Sequence, residues 1–128
     1  NELVYGTAFE VSDEVMGKDF LIPLGKAKIQ RPGQHVTLVA FSKMVGYCVE
    51  AAEILAKDGI QAEVINLRTI KPLDRKTIVE SVKKTNRLVT VEEGFPQSGI
   101  GAEICALMME SSAFDYLDAP VERITGMD

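Results

Sequence analysis

His35 to Phe41 reads HVTLVAF, with Val36, Leu38 and Ala40 on one face of an extended segment and Thr37, Val39 and Phe41 on the other. A strand apolar on both faces belongs at the centre of a parallel sheet with helices covering both sides. Such a sheet requires the chain to leave and return over a helix. The next residues supply one. Ser42 stands where an N-cap is expected and Gly59 where a C′ residue is expected. Between them Lys43, Gly46, Glu50, Glu53 and Lys57 form a wet stripe, and Met44, Cys48, Ala51, Ala52 and Leu55 a dry one. Ala62 to Leu67 (AEVINL) is the second strand, so the three segments form a βαβ unit with a right-handed crossover.

A second unit follows. Arg68 to Asp74 (RTIKPLD) is a loop, and Asp74 is expected to cap a helix from Arg75 to about Thr85. Ile78, Val79 and Val82 face inward on it, and Arg75, Lys76, Glu80, Lys83 and Lys84 face water; Leu88 to Val91 is the next strand. That strand runs into VEEGFPQSGIGAEI (Val91 to Ile104), where Gly94, Pro96, Gly99 and Gly101 break regular structure and Ser98 is the expected N-cap of a helix from Ile100 to about Glu110. Ligands and partners of open α/β sheets are met by loops at the carboxyl ends of strands, so this loop is the first candidate for function. The helix behind it has almost no polar face: Ile100, Ala102, Ile104, Cys105, Ala106, Leu107, Met108 and Met109 leave little room for one. Such a helix is buried on more than one side, which in a domain this small reads as a subunit or domain interface in preference to simple core packing.

At the ends of the chain, Lys26 to Arg31 alternates charged and apolar residues as an edge strand does, Pro32-Gly33 turns it, and Val121 to Thr125 is a last strand after a loop from Phe114 to Pro120. Asn1 to Gly25 shows no sustained period and reads as an extended interdomain connector with one helical turn around Asp13 to Met16. Its apolar residues Leu3, Val4, Tyr5, Phe9, Phe20, Leu21 and Ile22 are too many for a free linker, and are expected to lie on the surface of this domain or another. Residues 26–128 are then one α/β domain of five strands.

The chemistry offered by these residues is sparse. A net charge of −5 without long runs of either sign makes nucleic acid and anionic membrane surfaces poor partners. No stretch approaches the ~20 apolar residues of a membrane span. Both cysteines, Cys48 and Cys105, fall on apolar helix faces and read as reduced, buried thiols. His35 is the only histidine, and beside a turn it reads as a solvated or capping residue rather than a general base. There is no serine nucleophile elbow, Walker loop, HExxH, CxxC or EF-hand spacing. Gly99-Ile100-Gly101 at a helix start could cradle a phosphate, giving an alternative reading as a free-standing phosphate- or nucleotide-binding α/β module at Gly99 to Ala102. Against it, Ile104 replaces the third glycine of a dinucleotide fingerprint. Glu92 and Glu93 point to opposite faces and are no acid/base pair, although one of them can close the loop by accepting backbone N–H bonds. Asp118, beside Ala119 and Pro120, is either an Asx-turn or a surface anchor for a basic partner.

NELVYG at the start, AEVINLRTIKPLD, VTVEEGFPQSGIGAEI and YLDAPVERITGMD together resemble the beta subunits of the pyruvate dehydrogenase family, over essentially the whole chain. The branched-chain 2-oxoacid dehydrogenase beta subunits are the next nearest, and transketolase and deoxyxylulose-phosphate synthase share only the looser strand, glycine loop, helix pattern. The resemblance implies a transketolase C-terminal-like domain: a three-layer α/β/α sandwich on a five-stranded, mostly parallel sheet with one antiparallel edge strand. It implies an enzyme of the mitochondrial matrix, plastid or bacterial cytoplasm that uses thiamine diphosphate and magnesium. Those groups would be held by the alpha subunit and the beta subunit's N-terminal domain, so this segment binds no cofactor or metal and has no catalytic residue of its own. The implied partners are the alpha subunit, a second beta subunit in an α2β2 tetramer, and the small basic peripheral subunit-binding domain of dihydrolipoamide acetyltransferase. A basic partner favours the anchor reading of Asp118, with Ala119 and Pro120 beside it. Phe95, Gly99, Ile100, Ile104 and Met108 are the expected beta–beta contact. The family sequence continues past Thr125 to Asp128 into another helical segment of the partner surface, so the domain is expected to be truncated.

Overall fold

Residues 10–127 are described by the computed structural model. The central strand is the one apolar on both faces. Strand β2 (Val36–Ala40) pairs in parallel with β3 (Ala62–Asn66) on one side and with β4 (Leu88–Val91) on the other. β1 (Lys28–Arg31) adds antiparallel to β3 at one edge, with a bulge between Ile29 and Arg31, and β5 (Glu122–Ile124) adds in parallel to β4 at the other. The sheet has five strands in the order β1-β3-β2-β4-β5. Lys28 is exposed on this edge, where its charge discourages pairing with another chain, whereas Arg31 is half-buried and donates to the Ala62 carbonyl at 2.8 Å.

Helices α1 (Met44–Lys57), α2 (Arg75–Thr85) and α3 (Ile100–Met109) make the crossovers. Strand alternation sorts the sheet residues between two cores. Leu38, Ala40, Ala62 and Val64 pack with Val45, Cys48 and Ala52 of α1. Val39, Ile65 and Leu88 pack with Ile78 and Val82 of α2 and with Ile104, Leu107 and Met108 of α3. The result is a three-layer sandwich with one helix on one side and two on the other. The single helix leaves an apolar groove over β4 and β5, lined by Leu38, Tyr47, Ala51, Val89, Val91 and Ile124.

Local chemistry explains most boundaries. Asp74 caps α2 as expected, its Oδ1 accepting the Thr77 N–H at 3.2 Å, and Asn86 closes the helix in the left-handed region at φ 62°. Gly59 follows α1 at φ +80°, a conformation that suits glycine. Ser42 is not an N-cap: it lies at φ 53°, Lys43 takes the cap position without a side-chain bond, and the Ser42 carbonyl accepts from the Val45 N–H at 3.2 Å. Ala51, expected on the dry stripe, is exposed at the groove. The loop between α3 and β5 contains a 3₁₀ turn at Phe114–Tyr116.

Turn bonds such as Met16 N–H to the Asp13 carbonyl at 3.2 Å form the helical turn expected in the connector. Leu21 and Ile22 are 84% and 54% exposed, whereas Phe20 is half-buried. Leu3, Val4, Tyr5 and Phe9 lie outside the described residues.

Candidate functional site

β4 runs straight into the glycine-rich loop, and the first residue past it decides what the loop can do. The Glu92 N–H extends the ladder by donating to the Ile124 carbonyl at 3.0 Å. Alternation puts the Glu92 carboxylate on the same face as Thr90, beneath α3, where it is 4% exposed. There Oε2 accepts the Ile100 N–H at 2.9 Å, Oε1 accepts the Gly101 N–H at 3.1 Å, and Arg123 Nη2 lies 3.4 Å from Oε1. The same guanidinium nitrogen donates to the Pro96 carbonyl, fastening β5 to the loop. A buried carboxylate thus neutralises the positive end of α3. Ser98, the expected N-cap, sits at φ 59°, and Gly99 takes the cap position without a side-chain bond.

This closure argues against the phosphate reading. The two N–H groups that would meet an anion already serve Glu92, and the carboxylate's charge repels one. The glycines are required by the internal carboxylate: a Cβ at Gly99 would stand 2.6 Å from both Glu92 oxygens, and one at Gly101 would stand 2.7 Å from Thr90 Oγ1. Glu93 points the other way and reaches the exposed Lys43 at 3.9 Å.

The candidate interface residues divide between opposite ends of the sheet. Phe95, 61% exposed, lies with Gly99 and Ile100 at the carboxyl edge. Asp118, Ala119 and Pro120 precede β5 and lie at the amino edge, beside Asn86 and Arg87, which precede β4. The Asp118 N–H donates to the Asn86 carbonyl at 2.9 Å, and its exposed carboxylate meets Arg87 Nη2 at 3.4 Å. It is a surface carboxylate in a salt bridge. Ile104 and Met108 are each 1% exposed, inside the core that α3 shares with the sheet, and of the two only Met108 also reaches the floor of a groove on the outer side of α3. The outward residues of α3 are their neighbours Cys105, half-buried, and Met109, 66% exposed. Together with Met108, Phe114, Leu117, Ala119 and Pro120 they line an apolar groove of about 450 Å³. A helix apolar all round gives no phase in its sequence, so periodicity could not separate these two faces.

Glu63 is a buried polar centre that local patterning does not mark. It sits in mid-β3, is 1% exposed, and accepts from Ser81 Oγ at 2.6 Å, from the Gly33 N–H at 3.2 Å and from Lys84 Nζ. Thr37 Oγ1 continues the chain to Ser81 at 2.6 Å and to Thr85 at 2.7 Å. Burial pushes the Glu63 carboxyl up, but these bonds and the Lys84 charge outweigh it and hold it below the ordinary range. Its one trace in the sequence is a carboxylate inside an otherwise apolar strand. His35 is exposed and its Nδ1 accepts the Gln61 N–H at 2.9 Å, a capping role. Among the described residues, no group of three or more His, Cys, Asp or Glu could hold a metal ion, and no helix is long and apolar enough to cross a membrane.

Residues 25–128 match the family described as transketolase, C-terminal domain. The chain belongs to the transketolase C-terminal domain family. Its similarity to longer proteins extends over all of its 128 residues. The mitochondrial pyruvate dehydrogenase E1 component subunit beta-1 of Oryza sativa subsp. japonica is 66% identical over 128 residues, all of this chain and 34% of the relative. The corresponding mitochondrial beta subunits of Dictyostelium discoideum and Homo sapiens are 66% and 60% identical, again over all of this chain and over 36% of each relative. The chain therefore spans about a third of the length of these curated relatives. A solved structure described as a split-gene transketolase, an inactive beta4 tetramer, superposes with a TM-score of 0.76 at 31% identity, covering 89% of this chain and 36% of that one. As a transketolase C-terminal domain, the chain has the five-stranded sheet and the antiparallel edge strand that the resemblance implies.

Proposed function

We propose that this transketolase C-terminal domain is the assembly domain of a pyruvate dehydrogenase beta subunit, acting in the mitochondrial matrix. In that reading residues 1–25 connect it to the rest of the subunit. The full α2β2 enzyme decarboxylates pyruvate and transfers the acetyl group to lipoamide. The domain meets a second beta subunit and docks the basic peripheral subunit-binding domain of dihydrolipoamide acetyltransferase, and it is not itself catalytic. In this reading thiamine diphosphate and magnesium are held elsewhere in the enzyme. The α3 N-terminus already holds Glu92, and no metal-ligand group exists among the described residues. We place those groups on the alpha subunit and the other domain of the beta subunit.

One observation carries the docking reading: the exposed carboxylate of Asp118 lies in sequence between Leu117 and Ala119, both of which line an exposed apolar groove. A basic partner finds there both an anchor and apolar surface, the combination that sets orientation and supplies burial. Arg87 competes for the same carboxylate from within the chain. Calorimetric titration of the chain with the basic binding domain tests this. Saturable binding is expected, weakened about tenfold by Asp118→Ala, weakened by salt, and tightened by Arg87→Ala. Binding indifferent to Asp118 and to salt would refute the anchor.

A further inference from the structure

Lys84 has a property that no other lysine in the described salt bridges shares. Lys43 and Lys76 pair with exposed carboxylates, whereas Lys84 reaches from α2 to Glu63, which is buried in β3. Its own side chain is 45% exposed. It also forms part of the wall of an open polar pocket of about 460 Å³ with Gly33, Gln34, His35 and Gln61. Among the described residues, the only charged donor to the buried carboxylate is therefore accessible to reagents in solution. The other donors, Ser81 Oγ and the Gly33 N–H, are neutral and cannot balance the charge. Removing one member of a buried pair strands the other, and that loss exceeds what the pair itself contributes.

We propose that Lys84 is a modification site at which acylation by an acyl thioester unlocks helix α2 from the sheet. The reaction runs from the opened ion pair. The ammonium gives one proton to a base in solution, and the free amine nitrogen adds to the thioester carbonyl. The C–S bond breaks, the thiolate leaves with the second nitrogen proton, and an amide N–C bond remains. The product is neutral and bulkier, so the pair cannot re-form. Glu63 is left in place with two neutral donors. Because Ser81 and Thr85 of α2 share the same network with Thr37 of β2, the loosening reaches the packing of α2 on the central strand.

The test incubates the chain with S-acetylglutathione, locates acetyl groups by mass spectrometry, and follows hydrogen exchange of the α2 amides. Acetyl-Lys84 is expected to form more slowly than acetyl-Lys76, which is freely exposed. The modified fraction should exchange its α2 amides at least tenfold faster than unmodified chain. Lys84→Gln should reproduce that effect, Lys84→Arg should not, and Glu63→Gln combined with Lys84→Gln should recover most of the protection. Should Lys84→Gln alone fail to fold, a folded double variant would support the proposal in its place, and an unfolded one would overturn it. An unmodified Lys84 when Lys76 is fully acetylated, an acetylated chain with unchanged exchange, or a double variant no better than Lys84→Gln would each overturn it as well.

Discussion

Glu92→Gln is a change of one atom in a fully packed place, so its cost comes from hydrogen bonding alone. The carboxylate accepts two backbone N–H groups through different oxygens, and Arg123 lies against one of them. The amide keeps one acceptor and turns its NH₂ toward either Ile100 or Gly101, setting donor against donor at a site 4% exposed. A lost charge-assisted bond with an N–H left unsatisfied costs about 1.5–3 kcal/mol. Removing the negative charge from the start of α3 adds about 0.5 kcal/mol. The weakened contact to Arg123, itself only a quarter exposed, brings the total to about 3 kcal/mol. For a domain of this size that lowers Tm by about 10 °C. Urea and thermal unfolding followed by circular dichroism measure it, with the exposed Glu93→Gln as a control expected to shift by under about 0.5 kcal/mol. Equal stability of Glu92→Gln and wild type would refute the argument that this carboxylate closes the loop.

Ser98→Ala is expected to cost less than about 0.5 kcal/mol in urea unfolding, because the hydroxyl caps nothing; a working N-cap would cost about 1 kcal/mol. Ile104→Ala should cost about 2–5 kcal/mol by the same measurement, as a core residue does, and the charged change Ile104→Glu should unfold the domain rather than merely dissociate it. For Asp74, burial pushes the carboxyl up, but bonds from the Ala27 N–H and from Thr77, with the nearby Lys26 charge, hold its pKa below the ordinary value. Its stabilisation is therefore present above the unfolded value of about 4 and lost as pH falls through the lower folded value, so Asp74→Asn should flatten the acid limb of stability against pH. Burial pushes the Cys48 thiol up to about 11, so native chain should resist alkylation there at about pH 8 and take the label only when urea opens it, as mass spectrometry would show.

The architecture was legible because two periods coexist in the sequence. HVTLVAF, apolar on both faces, fixed the centre of a parallel sheet, and the stripe of α1 fixed the crossover. Asp74 was legible as a cap because its partner, Thr77, is three residues away. The two serines were misread for the opposite reason. Ser98 looked like a cap in its local window, but the acceptor that serves α3 is Glu92, eight residues before Ile100. Ser42 and Ser98 both adopt left-handed backbone, which the residue type does not announce. At the candidate interface, the choice between Ile104 and Cys105, or Met108 and Met109, depends on helix phase. A polar stripe would have supplied that phase, and α3 has none. Glu63 went unread because its partners come from a turn and a helix distant in sequence, and only the folded chain brings them together.

Light scattering on the chain mixed with the basic binding domain of the acetyltransferase, across a concentration series, tests the assembly role most directly. The account predicts a complex whose mass exceeds that of the chain by the mass of the binding domain, its half-association point moved to about tenfold higher concentration in Asp118→Ala. No mass increase at any concentration, together with a melting temperature raised by inorganic phosphate or a nucleotide, would contradict it and restore the ligand-binding reading that the Glu92 carboxylate opposes.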